Sequence, residues 1–188
     1  MSAETVPTQL PPEGWTIDDL ERLPASDIRY ELVDGVPQVT PAPTSGHQHV
    51  SRRLANLLEG AAPADLAVAE AVGVVIATDQ RPIPDVVVVR GFDLEVNNYP
   101  ADQVALAVEI VSRSTRSNDR FRKPALYAQA GIPSYLRVEL DPLHIVAYRL
   151  DPEGVYTEYA RAAASDTIQL ELPFPVSFDP AVLLRLKP

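Results

Sequence analysis

Two hydrophobic periods run through the chain. Val50, Leu54, Leu57 and Leu58 recur at helical spacing between His47 and Glu59. Leu66 to Ala77, Asp85 to Arg90 and Gln103 to Val111 are instead dense in small and β-branched apolar residues and read as strands. The last of these, QVALAVEIV, is apolar on both faces over most of its length, the pattern of a central strand covered on each side. Nearer the amino end, Ile17, Leu20 and Leu23 share one face of a short helix that Thr16 and Asp19 open as a capping box and Pro24 closes. Arg29 to Val33 and Val36 to Thr40 then flank Asp34-Gly35, a dipeptide that accepts the positive φ of a two-residue hairpin turn.

Past the central strand, Ser117, Asn118 or Asp119 caps a helix to about Ala130, which Gly131 and Pro133 stop. Tyr135 to Leu140, Ile145 to Leu150 and Val155 to Arg161 read as strands, with turns at Asp141-Pro142 and Glu153-Gly154. Thr167 to Leu172 adds an edge strand, and Asp179 to Leu186 a last short helix. This order predicts a mixed α/β (α+β) domain: one mixed β-sheet flanked by helices, with an N-terminal helix-hairpin and extra C-terminal strands. Residues 1–14 are Pro-rich and aperiodic and read as a disordered or loosely docked arm, leaving 15–188 as a single domain.

Composition narrows the function. With 46% hydrophobic and 22% charged residues in 188, the chain has the apolar content of one compact core. It contains no cysteine, which excludes disulfides and thiolate zinc sites and fits a reducing cytosol. Sixteen Lys and Arg against twenty-six Asp and Glu give a net charge of −10, which argues against avid nonspecific nucleic-acid binding. A local basic groove stays compatible with that total, because charge is distributed over a surface. The amino end has neither the cationic start nor the apolar stretch of a secretory signal, and no apolar run reaches the roughly 18 residues of a membrane span. A cytoplasmic protein without a membrane partner is therefore expected. Only Lys123 and Lys187 are lysines, so a lysine within the domain is a rare event.

Two carboxylates stand out by position. Asp85 opens an apolar strand directly after Pro84, and Glu109 interrupts the central strand near its carboxyl end. A buried carboxylate is costly unless paired, hydrogen-bonded or bound to a cation. The plain readings are an arginine-paired acid for Glu109 and a turn-capping aspartate for Asp85. Were the two strands neighbours, about 4.8 Å apart, both acids would reach one hard cation such as magnesium or manganese. On a helix starting near Asn118, Lys123 falls in the second turn, near the positive end of the dipole, and approaches a metal-bound water or a phosphate, against the plain reading of a solvated lysine.

These residues carry a resemblance. Pro84-Asp85 followed by Glu109-Ile110-Val111 resembles the PD-(D/E)XK pattern of restriction-endonuclease-like phosphodiesterases. The wider string resembles one bacterial branch of that superfamily, the Uma-type endonucleases: Tyr30 to Gly35, Pro41 to Gln48, Pro84 to Val89, Val108 to Ser112, Ser114 to Arg116, Asp119, Lys123 and Tyr127. The resemblance spans about residues 16 to 186 and implies a restriction-endonuclease-like core. It implies that Asp85, Glu109 and the backbone carbonyl of Ile110 bind a catalytic Mg2+ or Mn2+, and that Glu31 is an upstream acid supporting the site. The third position of the triplet is Val111 where the superfamily usually has lysine. In this branch the lysine is displaced to the following helix, at Lys123. His47, Ser112 and Tyr127 are matched as site-lining residues. Arg113, Arg116 and Arg120, in the most basic stretch of the chain, are candidates to meet phosphates, against the plain reading of a solvated helix. His47 and His49 diverge by about 200° around a helix, so they do not share a metal.

The leading expectation is thus a magnesium-dependent endonuclease acting on DNA, as a homodimer by analogy. The net charge and Val111 favour instead a non-catalytic binding or assembly module on a nuclease fold; the acidic surface suits a small-nucleotide phosphohydrolase. Substituting Asp85, Glu109 or Lys123 by alanine is expected to abolish turnover and leave the fold nearly intact.

Overall fold

The computed structural model describes residues 14–23, 29–39, 42–111 and 121–186. Most of the amino-terminal arm, residues 1–13, therefore lies outside the described residues, as does the segment 112–120.

A short helix α1 (Ile17–Glu21) starts as the sequence predicts, with the Thr16 hydroxyl accepting from the Asp19 amide and Asp19 accepting from Thr16 N. Trp15, Leu20 and Leu32 bury one another beneath it. The hairpin β1 (Tyr30–Val33) and β2 (Val36–Val39) turns at Asp34 and Gly35, both at positive φ (51° and 68°), which is why this dipeptide closes it in two residues. Helix α2 (Ser45–Ala61) begins earlier than the periodicity suggested, because the Thr44 side chain accepts from the His47 amide and caps it. Its Val50, Leu54 and Leu58 stripe is fully buried.

The strand predicted over Leu66 to Ala77 divides in two. Ala71 adopts φ +54° and gives its amide to the Asp85 carbonyl. The chain therefore leaves β3 (Leu66–Glu70) and joins a separate parallel pair, β4 (Gly73–Val75) with β6 (Asn98–Pro100). Strands β5 (Val86–Arg90), β7 (Val104–Val111), β8 (Ser134–Leu140), β9 (Leu143–Leu150) and β10 (Tyr156–Ala163) complete a six-stranded mixed sheet, ordered β10-β9-β8-β7-β5-β3. All eight residues of β7 are buried, as its two-sided apolar pattern predicts. The edge strand expected over Thr167 to Leu172 is β11 (Ile168–Leu170), paired with β12 (Val176–Phe178) and not with the large sheet. A 3-10 turn at Pro180–Leu184, capped by Asp179, stands where the last helix was expected.

One sheet face packs against α2, β11 and β12 through Leu54, Leu58, Val108, Ile110, Leu136 and Phe178. The other face carries Val87, Ala107, Tyr127, Ile132 and Tyr135 under α3 (Lys123–Gln129). Helix α3 follows a π-helical turn at residues 121–122, and the expected caps Ser117, Asn118 and Asp119, with the start of the predicted helix, lie outside the described residues. Since β7 and β8 are parallel neighbours, the connection between them must cross the sheet, and α3 rides in that crossover. Among the described residues no helix is long and apolar enough to cross a membrane.

Candidate active site

The sheet topology brings the predicted acids together. Strands β5 and β7 are antiparallel neighbours, so the amino end of one meets the carboxyl end of the other. Asp85, just before β5, continues that ladder: its amide donates to the Val108 carbonyl at 3.0 Å, and its Oδ2 accepts from the Ile110 amide at 2.7 Å. Glu109 lies between those two ladder positions and points to the α3 face.

Glu109 is 1% exposed, and its burial is compensated. Lys123 Nζ lies 3.1 Å from each carboxylate oxygen, and the Tyr127 hydroxyl donates to Oε1 at 2.6 Å. Lys123 and Tyr127 are four residues apart, so one face of α3 delivers both. The ammonium also meets Glu31 Oε1 at 2.8 Å and donates to the Ile83 carbonyl at 3.4 Å. The same Glu31 oxygen accepts from the Ile83 amide at 2.9 Å. Lys123 therefore sits, 8% exposed, in a cage of carboxylate and carbonyl oxygens. Burial, and next the charge of Glu109, pushes the Tyr127 phenol well above its usual range, so it remains a donor.

That donor has a measurable weight. Tyr127→Phe removes a hydrogen bond to a charged, buried acceptor and is expected to cost roughly 1.5–3 kcal/mol, read from urea unfolding with an unchanged m-value. A loss below about 0.5 kcal/mol would mean that Glu109 is held without it.

Toward solvent, His47 Nε2 lies 3.3 Å from Asp85 Oδ2 and 3.1 Å from the Ile110 carbonyl. One nitrogen in the first turn of α2 thus touches a carboxylate and a carbonyl oxygen at once. His49 reaches away, to the Arg185 carbonyl at 2.9 Å, so the two histidines diverge as their spacing predicts.

Asp85, Glu109, Ile110, Glu31, His47, Lys123 and Tyr127 are therefore gathered at one end of the sheet. Ser112, Arg113, Arg116 and Arg120 lie outside the described residues. Arg122, which flanks that basic stretch, pairs with Asp34 at 2.6 Å on the exposed hairpin. Sequence reasoning missed Ile83, whose amide and carbonyl bracket the Glu31–Lys123 pair. The available signal was its place between Pro82 and Pro84, where extended backbone flanked by two residues without amide donors leaves polar groups free for side chains.

Among the described residues no three His, Asp or Glu side chains converge as a complete metal cage. The donor set nevertheless fits a hard divalent ion: Asp85 Oδ2 and the Ile110 carbonyl both face one point, marked by His47 Nε2, and Glu109 is the residue before that carbonyl. Oxygen ligands of this kind, completed by water, suit magnesium or manganese.

A family model described as "putative restriction endonuclease", Uma2, matches residues 17–185. The chain belongs to the Uma2 family. The fold of this Uma2 protein is similar to the crystal structure of a putative nuclease belonging to DUF820 from Anabaena variabilis. The two share a TM-score of 0.66 and 14% sequence identity, over 90% of this chain and 97% of that one. At that identity the likeness establishes the nuclease-like fold and leaves the chemistry to the residues. No curated protein matches the sequence.

Proposed function

We propose that this Uma2 protein is a divalent-metal-dependent nuclease that hydrolyses phosphodiester bonds of DNA. The observation that carries the reading is the placement of Lys123: position 111 lacks the lysine of the superfamily pattern, yet a lysine from α3 stands 3.1 Å from both oxygens of Glu109. In this reading Asp85, Glu109 and the Ile110 carbonyl hold Mg2+ or Mn2+. When bound, such an ion lowers the pKa of a water and neutralises charge developing on the phosphoryl oxygens.

The remaining work falls to the chain itself. The Ile110 amide orients Asp85, and Tyr127 with Lys123 orients Glu109. Glu31 fixes the Lys123 ammonium beside the acids, where its charge opposes that of an incoming phosphate and steadies the attacking water. Because that cage is built from oxygens already in place, Lys123 needs no reorganisation as charge develops. His47 lines the solvent side of the site. A 5′-phosphate product and a homodimer follow from the superfamily analogy, with β10, the last strand in the sheet order, as the edge at which a second copy would pair.

Incubation with plasmid DNA and, separately, with nucleoside mono- and triphosphates in Mg2+ or Mn2+ tests the substrate class. The reading predicts cut plasmid, new 5′-phosphate ends and untouched nucleotides. Hydrolysis of the nucleotides alone would favour a small-nucleotide phosphohydrolase, and turnover of neither a binding module.

A further inference from the structure

The face of the sheet that carries Glu109 continues past it onto strands that the proposed chemistry leaves unused. Parallel pairing of β7 with β8 sets Arg137 directly beside Glu109, so both side chains leave the same face from strands about 4.8 Å apart. Register across β9 then places Val146 beside Arg137 and Arg161 beside Val146. A transverse row of Glu109, Arg137, Val146 and Arg161 results, with a small apolar residue separating the two guanidinium groups.

Arg137 is held without being used up. Its guanidinium stacks over the Tyr148 ring at 5.5 Å, and its Nε stands 3.2 Å from Glu139 Oε1, yet that buried Nε makes no hydrogen bond. Its side chain is 17% exposed, and its guanidinium lies toward Tyr148 of β9, one strand farther from Glu109. Arg161, farther along the row, is half exposed and already engaged by Glu158 at 2.7 and 2.9 Å. Of the two, Arg137 is the nearer to the site and the less satisfied. A planar guanidinium, pre-oriented by an aromatic face and an adjacent carboxylate, matches the paired oxygens of a phosphodiester. In a chain of net charge −10, binding a polyanion depends on such local placement and not on total charge.

We infer that Arg137 contacts a backbone phosphate of the nucleic-acid strand next to the bond that is cut, as a positioning residue for the substrate. The inference rests on the nuclease reading and names the strand β8 face as the track along which the substrate leaves the metal site. It is a phosphate contact, so it carries no base preference.

The test is equilibrium binding of fluorescein-labelled duplex and single-stranded DNA, followed by anisotropy over a salt series in EDTA, so that metal occupancy plays no part. Arg137→Gln is expected to weaken binding several-fold for every sequence tried. The slope of log K against log[salt] should fall by about 0.7–0.9, that of one phosphate contact. Arg137→Met, which keeps the stem on Tyr148, should give the same loss if the glutamine protein folds poorly. Arg137→Lys should retain the wild-type slope. A purely structural role would lower the melting temperature and leave the slope unchanged, and an unchanged slope overturns the inference. Wild-type protein that cuts DNA while Arg137→Gln and Arg137→Met keep its slope defeats this inference alone. Wild-type protein that binds neither DNA defeats it together with the nuclease reading.

Discussion

Lys123→Ala is expected to destabilise the protein by about 3–5 kcal/mol, the cost of leaving buried charge uncompensated when one partner of a buried ion pair is removed. Lys123 is 8% exposed, Glu31 5% and Glu109 1%, and the ammonium is the cation that both carboxylates share. At roughly 2–4 °C per kcal/mol for a domain of this size, the melting temperature should fall by about 6–20 °C. The expectation that this alanine leaves the fold nearly intact is thereby revised, because the depth at which the lysine is enclosed is set by contacts between distant segments. Adding Glu31→Gln to Lys123→Ala should recover part of the loss, a coupling that a double-mutant cycle measures directly. A melting temperature within 2 °C of wild type for the single variant would mean that water reaches the cage. Loss of cleavage by Lys123→Ala therefore cannot by itself assign the lysine a chemical role, and Lys123→Met, closer in volume, is the better companion variant.

Asp85→Asn is expected to do the opposite: to keep the fold and lose the metal. The Asp85 side chain is 24% exposed, and an asparagine oxygen can still accept from the Ile110 amide. Its negative charge, the part that a divalent cation needs, is gone. Manganese at one hundred times its dissociation constant should stabilise the wild type by about 2.7 kcal/mol, by mass action on the folded state. The same manganese concentration should barely move the melting temperature of Asp85→Asn, while the two proteins melt within a few degrees of each other in EDTA. Equal stabilisation of both by manganese would remove Asp85 from the ligand set.

The parts of this protein that were legible in the sequence are those set by local pattern. The capping box at Thr16 and Asp19, the Asp34-Gly35 turn and the two-sided apolar run of β7 each specify their own geometry, and each formed as read. The approach of Asp85 to Glu109 was legible only as a condition, that their two strands be neighbours, and the antiparallel pairing of β5 with β7 meets that condition. What escaped depended on contacts between distant segments. The break of the third strand at Ala71 requires a positive φ that an alanine does not advertise, and it is held by the amide's bond to the Asp85 carbonyl. The Ile83 carbonyl at Lys123 is a backbone group, invisible to any search for chemistry-bearing side chains. Arg137 falls within the strand predicted over Tyr135 to Leu140, and only the parallel register sets it beside Glu109.

In the proposed function, the acids at the junction of β5 and β7 hold a catalytic metal. Nicking of supercoiled plasmid by purified wild-type protein in Mg2+ or Mn2+, run beside Asp85→Asn protein and an EDTA control, tests it most directly. Nicked and linear products are expected from the wild type alone, and none with EDTA or with Asp85→Asn. Cleavage by Asp85→Asn at the wild-type rate, from protein free of contaminating nuclease, would contradict it.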